Sequence, residues 1–82
     1  MHVPNLTQYR QHPALIALGK AIRAARKRQG ISQEKLALLA GIDRSYVGRV
    51  ERGDNNVAAL TLLKIAQAMG VSMTDIMNEA GL

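Results

Sequence analysis

The sequence predicts an all-α fold, one compact domain of five short helices, on three observations. First, the apolar residues are almost entirely aliphatic: the chain has two tyrosines and neither Phe nor Trp. A core of Leu, Ile, Val, Ala and Met suits close-packed helices better than a β-sandwich, which favours aromatic and β-branched residues. Second, apolar positions recur at helical spacing in five separate stretches. Third, glycines punctuate the ends of those stretches, at Gly30, Gly41, Gly53 and Gly70, with Gly81-Leu82 closing the chain. At 82 residues there is room for one domain with a small core.

Residues 1–12 show no clear period and contain Pro4, and they read as an N-terminal arm; the folded domain is expected over residues 13–80. His12-Pro13 marks the first helix start, because proline's missing N–H costs nothing at the first helical position. From there the helix runs to Gly30. Leu15, Leu18, Ile22 and Ala25 form its core stripe, while Lys20, Arg23 and Lys27 fall on a solvent-facing one. Arg26, Lys27 and Arg28 crowd the last turn, where they complement the helix dipole. Gly19 weakens this helix by about 1 kcal/mol against alanine, and in return permits close approach of another helix.

Ser32 is the expected N-cap of a second helix, Gln33 to Ala40, with Leu36, Leu39 and Ala40 facing inward. It stops at Gly41. Asp43 is the expected N-cap of a third, Arg44 to Arg52, which stops at Gly53. Two short capped helices joined by a tight glycine-bearing turn form a helix-turn-helix pattern. Ala37, midway along the first, keeps the pair close. After the polar loop Asp54-Asn55-Asn56 comes a fourth helix over about residues 58–69, with Leu62, Ile65, Ala66 and Met69 as its inward stripe. Ser72 caps a fifth, about 73–79, anchored by Met73 and Ile76.

Charge narrows the function. The net charge is +5, and residues 1–30 carry six basic groups and no acid, whereas residues 54–82 carry one lysine and three acids. A molecule with one polyanion-facing side has this asymmetry. With no cysteine, disulfides and thiolate metal sites are excluded. His2 and His12 stand alone, without the clustered ligands that zinc requires. No apolar run reaches the roughly 20 residues of a membrane span, residues 57–71 coming nearest before Lys64 interrupts them. The N-terminus lacks a basic segment followed by an apolar one, so no secretory signal is expected and the cytoplasm is the default location. Neither paired carboxylates nor a glycine-rich phosphate loop suggests catalysis; no enzyme activity, cofactor, metal or small-molecule ligand is implied.

At about 100° per residue the third helix divides into faces. Arg44, Ser45, Gly48, Arg49 and Arg52 share one arc of about 140°. Val47 and Val50 lie nearly opposite, and Tyr46 and Glu51 sit at the margins. An outward arc of arginine, serine and bare backbone suits a DNA major groove, where guanidinium bonds guanine O6 and N7 and serine meets several base edges. Arg44, Ser45 and Arg49 are the candidate base contacts. Phosphate candidates are Gln33, at the open N-terminus of the second helix, Arg52, and the loop residues Asn55 and Asn56. Tyr46 either packs at the core rim or touches sugar-phosphate. Gly48 either lets the helix approach the groove floor or is neutral on an exposed face.

Residues about 16–77 resemble the lambda-repressor-like (Cro-type) helix-turn-helix family of bacterial and phage regulators. The resemblance lies in R-x-x-R-x-x-x-G-I-S-Q-E-x-L-A from Arg23, G-I-D-R-S-Y-V-G-R-V-E-R-G from Gly41, and T-L-L-K-I-A-Q-A-M-G-V-S from Thr61. The run D-R-S-Y-V, followed by E-R-G and an Asn-bearing loop, is most similar to the small controller proteins of restriction–modification systems. The resemblance implies that Gln33 contacts phosphate, that Arg44, Ser45 and Arg49 read bases, and that Glu51 pairs with Arg26. Val57 departs from the family, whose loop often carries proline there, and the first twelve residues have no alignable counterpart.

A sequence-specific regulator of double-stranded DNA is therefore the leading expectation. One domain buries too little for tight specific binding, so a homodimer on a partly palindromic operator is expected. Leu60, Leu63, Met77 and Leu82 lie off the inward stripes and are the candidate dimer interface. An antitoxin-type protein-binding module with secondary DNA binding is the alternative; it usually adds a long flexible segment, and only eleven N-terminal residues are available.

Overall fold

A computed structural model describes residues 10–82; His2 and the rest of the proposed arm up to residue 9 lie outside the described residues. The helices are α1 (Pro13–Arg28), α2 (Gln33–Ala40), α3 (Arg44–Arg52), α4 (Ala59–Ala68) and α5 (Met73–Ala80), and no strand occurs among the described residues. The contacts close a ring: α1 packs on α3 and α5, α2 on α3 and α4, and α4 on α5. Each helix thus turns one apolar stripe to a shared centre, where Ile22, Leu36, Val47, Val50, Ile65 and Ile76 are nearly inaccessible to solvent. No helix among the described residues is long and apolar enough to cross a membrane.

Local chemistry explains the boundaries. Ser32 Oγ accepts from Lys35 N (3.0 Å), and Ser72 completes a reciprocal box in which Asp75 N donates to Ser72 Oγ (2.9 Å) and Ser72 N to Asp75 Oδ2 (3.3 Å). His12 opens α1 as its N-cap, Nδ1 accepting from Ala14 N at 3.1 Å. Gly41 ends α2 at φ +70°, a left-handed conformation that a side chain would strain.

Two helix-facing expectations are corrected. Leu39 is half exposed at 51% rather than inward, because eight residues of α2 offer only a narrow stripe and Leu36, Ala37 and Ala40 fill it. Leu15 is only partly buried, since the first turn of α1 lies at the edge of the ring. The stripes of α4 (Leu62, Ile65, Ala66, Met69) and Ile76 of α5 are buried as expected.

Two carboxylates tie distant segments together. Asp54 accepts hydrogen bonds from Gln11 Nε2 and, at 3.3 Å, from Arg52 Nε; Glu79 takes a bidentate pair from Arg28 at 2.8 Å. The Gln11 amide is the main cause holding the Asp54 carboxyl below its usual value, and the Arg28 hydrogen bond does the same for Glu79. A carboxyl whose pKa is lower folded than unfolded contributes stability that is complete above the unfolded value and disappears as pH falls through the folded one. Urea denaturation is therefore expected to show stability falling below about pH 4, with a shallower fall in Asp54→Asn and Glu79→Gln. Parallel curves for wild type and both variants would contradict this.

Candidate nucleic-acid interface

The site begins with the seating of α3. Val47 and Val50 are buried to within 2%, and on its other flank α1 approaches so closely that a Cβ on Gly19 would lie 2.4 Å from the Val50 carbonyl oxygen. At the C-terminal end Gly53 adopts φ +80°, and a Cβ there would stand 2.9–3.0 Å from Ile16. The chain just before α1 caps this end: Gln11 N donates to the Gly53 carbonyl (2.8 Å) and Gln11 Nε2 to that of Arg52 (2.9 Å), with Gln11 itself at φ +60°. Gln11 satisfies carbonyls that a helix end leaves open. Its part in the site was not legible in the sequence, because its partners stand 41 and 43 residues away and nothing in its neighbourhood marks it.

Beneath the outer face lies a buried polar cluster. Arg26 Nε and Nη2 bond the two oxygens of Glu51 (2.7 and 3.1 Å), and Arg26 Nη1 donates to the Ile31 carbonyl (2.8 Å). Gln33 Nε2 donates to Glu51 Oε1 at 3.0 Å. The side chains of Arg26 and Glu51 are 10% and 2% exposed, so the bidentate geometry and these added bonds are what make burial of the charges tolerable. One glutamate therefore links α1, the start of α2 and α3.

This changes the reading of two positions. One N–H of the Gln33 amide is committed to Glu51, leaving its second N–H for an outside partner. Gly48 is not on an open face but buried: a Cβ there would meet Arg52 Nη1 at 3.2 Å and Gln33 Oε1 at 3.8 Å. The wheel placed Gly48 outward correctly, but long side chains from α2 and the next turn of α3 lie across it.

Arg44, Ser45 and Arg49 are exposed together on α3. The Arg49 guanidinium stands over the Tyr46 ring, 5.7 Å from its centre, a cation–π arrangement that limits its freedom. Tyr46 is half-buried and packs against the core. Arg52 reaches back to Asp54. Asn55 is half-buried and Asn56 exposed. Asp43 occupies the N-cap position of α3 but its side chain makes no capping bond, so the expected cap is corrected. With Gly41, Ile42, Tyr46, Arg49 and Thr61 it lines an open hollow beside the arginine-bearing face of α3.

A helix-turn-helix whose second helix shows arginines outward and valines inward defines a class, and comparison with known proteins agrees. The sequence pattern of the family described as "Helix-turn-helix" (HTH_3) matches residues 22–76. The chain belongs to this helix-turn-helix family, the lambda-repressor-like group of DNA-binding transcriptional regulators that its motifs resemble. More particularly, it is similar to control proteins of restriction–modification systems. It is 37% identical over 65 residues to control protein C.SmaI of Serratia marcescens, covering 79% of this chain and 77% of that one. The crystal structure of the restriction–modification controller protein C.AhdI from Aeromonas hydrophila superimposes with a TM-score of 0.75 at 45% identity, covering 76% of this chain and 94% of that one. The clp gene regulator ClgR from C. glutamicum gives a TM-score of 0.82 at 31% identity, covering 83% and 87%.

Proposed function

We propose that the protein is a controller-type transcriptional regulator that binds a partly palindromic operator as a homodimer, with α3 in the major groove. The division of α3 into faces carries this reading: its outward arginines are not needed to seat the helix, while Val47, Val50 and Glu51 are. Arg44, Ser45 and Arg49 read bases, and Gln33, Tyr46, Arg52, Asn55 and Asn56 contact the backbone. The second N–H of Gln33, at the amino end of α2, meets a phosphate together with the free backbone amides there.

Dimerisation uses Leu60, Leu63, Met77 and Leu82. The three leucines are 63%, 38% and 53% exposed, and Met77 is partly buried. Residues 54–82 lean acidic, which suits a surface facing away from DNA. Half-sites then lie one helical turn apart, about 34 Å. The protein works without catalysis, in the cytoplasm where its DNA is; its relatives are regulators rather than enzymes.

Selection of bound sequences from a random DNA pool, with stoichiometry measured on the selected site, tests this. A two-fold motif bound by two chains is expected, and no enrichment at moderate salt would overturn the proposal. On the selected site Arg49→Ala should cost about 1–3 kcal/mol and relax one position per half-site. Equal loss on specific and random DNA would remove Arg49 from base reading.

A further inference from the structure

Asp43 departs from the other polar caps of this fold. It has the extended backbone of an N-cap residue (φ −70°, ψ 141°), yet its carboxylate bonds no amide of α3, whereas Ser32 and Ser72 in equivalent positions do so at 3.0 and 2.9 Å. It is exposed and forms no ion pair among the described residues, although Arg44 follows it directly and Arg49 lines the same hollow. Arg49 in turn is held over Tyr46 and has no carboxylate partner among the described residues. A free acceptor and a free donor therefore share one hollow beside the recognition helix.

An unpaired carboxylate on a DNA-facing surface weakens binding to phosphate at every sequence. It becomes favourable where a base offers an amino group. In the major groove cytosine does so through N4, for which Asp and Glu are the matching acceptors, while the guanine opposite offers O6 and N7 to arginine. Resting on the DNA-binding reading above, we propose that Asp43 is a specificity-determining residue, its carboxylate accepting a hydrogen bond from the N4 amino group of a cytosine in each half-site. It selects in two directions. It rewards cytosine, and it repels the oxygen or nitrogen acceptors that thymine and guanine present at the same place.

The test compares wild type, Asp43→Ala and Asp43→Asn by selection from a random pool, followed by titration of the selected site and of random DNA. Asp43→Ala should lose the preference for cytosine at one position per half-site, by about 5- to 10-fold, at the low end for a single base contact, while its affinity for random DNA rises. Asp43→Asn should move the preference towards adenine, whose N6 and N7 match an amide. Circular dichroism melting confirms that both variants remain folded. A wild-type motif that Asp43→Ala reproduces unchanged would overturn the inference, as would an even loss on specific and random DNA, which marks a purely structural cap. Failure of the wild type to enrich any motif would instead overturn the DNA-regulator reading itself.

Discussion

Glu51→Ala is expected to lose about 3–5 kcal/mol of folding stability, the cost of leaving one member of a buried ion pair without its partner. A domain of this length commonly holds about 4–12 kcal/mol in total, so the variant should lose a large share of its stability and unfold at a clearly lower urea concentration. The reason lies in what remains. The Arg26 guanidinium, 10% exposed, would keep only the Ile31 carbonyl as acceptor, and the Gln33 amide would lose its anchor. Urea denaturation at neutral pH measures the effect. The pair is not thereby a large net source of stability, because desolvation offsets much of the attraction. Accordingly, Arg26→Met combined with Glu51→Leu should cost clearly less than the two single changes summed, as a double-mutant cycle would show. A loss below about 1 kcal/mol for Glu51→Ala would imply that the pair is solvated.

Gly19→Ala is expected to lose about 3 kcal/mol, at the upper end of overpacking costs, although alanine is the better helix former by about 1 kcal/mol. The added Cβ would stand 2.4 Å from the Val50 carbonyl oxygen and 2.6 Å from that of Glu51. Backbone atoms cannot rotate away, so α1 and α3 must separate. Gly48→Ala supplies the control. It too is a helical glycine, but its new Cβ would meet the mobile end of Arg52 at 3.2 Å. Arg52 can shift, so the gain in helix propensity should leave stability within about 1 kcal/mol of wild type. Thermal denaturation of both variants distinguishes the cases, and equal melting points would refute the close-approach account of Gly19.

Much of the fold was legible because its causes are local. The five segments follow from apolar period and capping chemistry that act within a few residues, as at Ser32, Gly41 and Ser72. The wheel of α3 separated Val47 and Val50 from Arg44, Ser45 and Arg49, because nine residues of regular helix leave the faces no freedom. Leu39 failed for the same reason seen from the other side: a two-turn helix can bury fewer apolar residues than it contains, and the winner is chosen by its neighbours. Resemblance alone implied the Arg26–Glu51 partnership; nothing in spacing does.

What the sequence determined by itself was an all-α, helix-turn-helix chain with an arginine-bearing outer face, since period, caps and charge are properties of short stretches. Tertiary structure alone decided the rest. Glu51 gathers Arg26 and Gln33 from two other helices, Gln11 closes the far end of α3, and Gly48 lies under crossing side chains. Asp43 stands where a cap should be without acting as one. Each depends on groups far apart in the chain or on the direction a side chain finally takes, and only packing settles those.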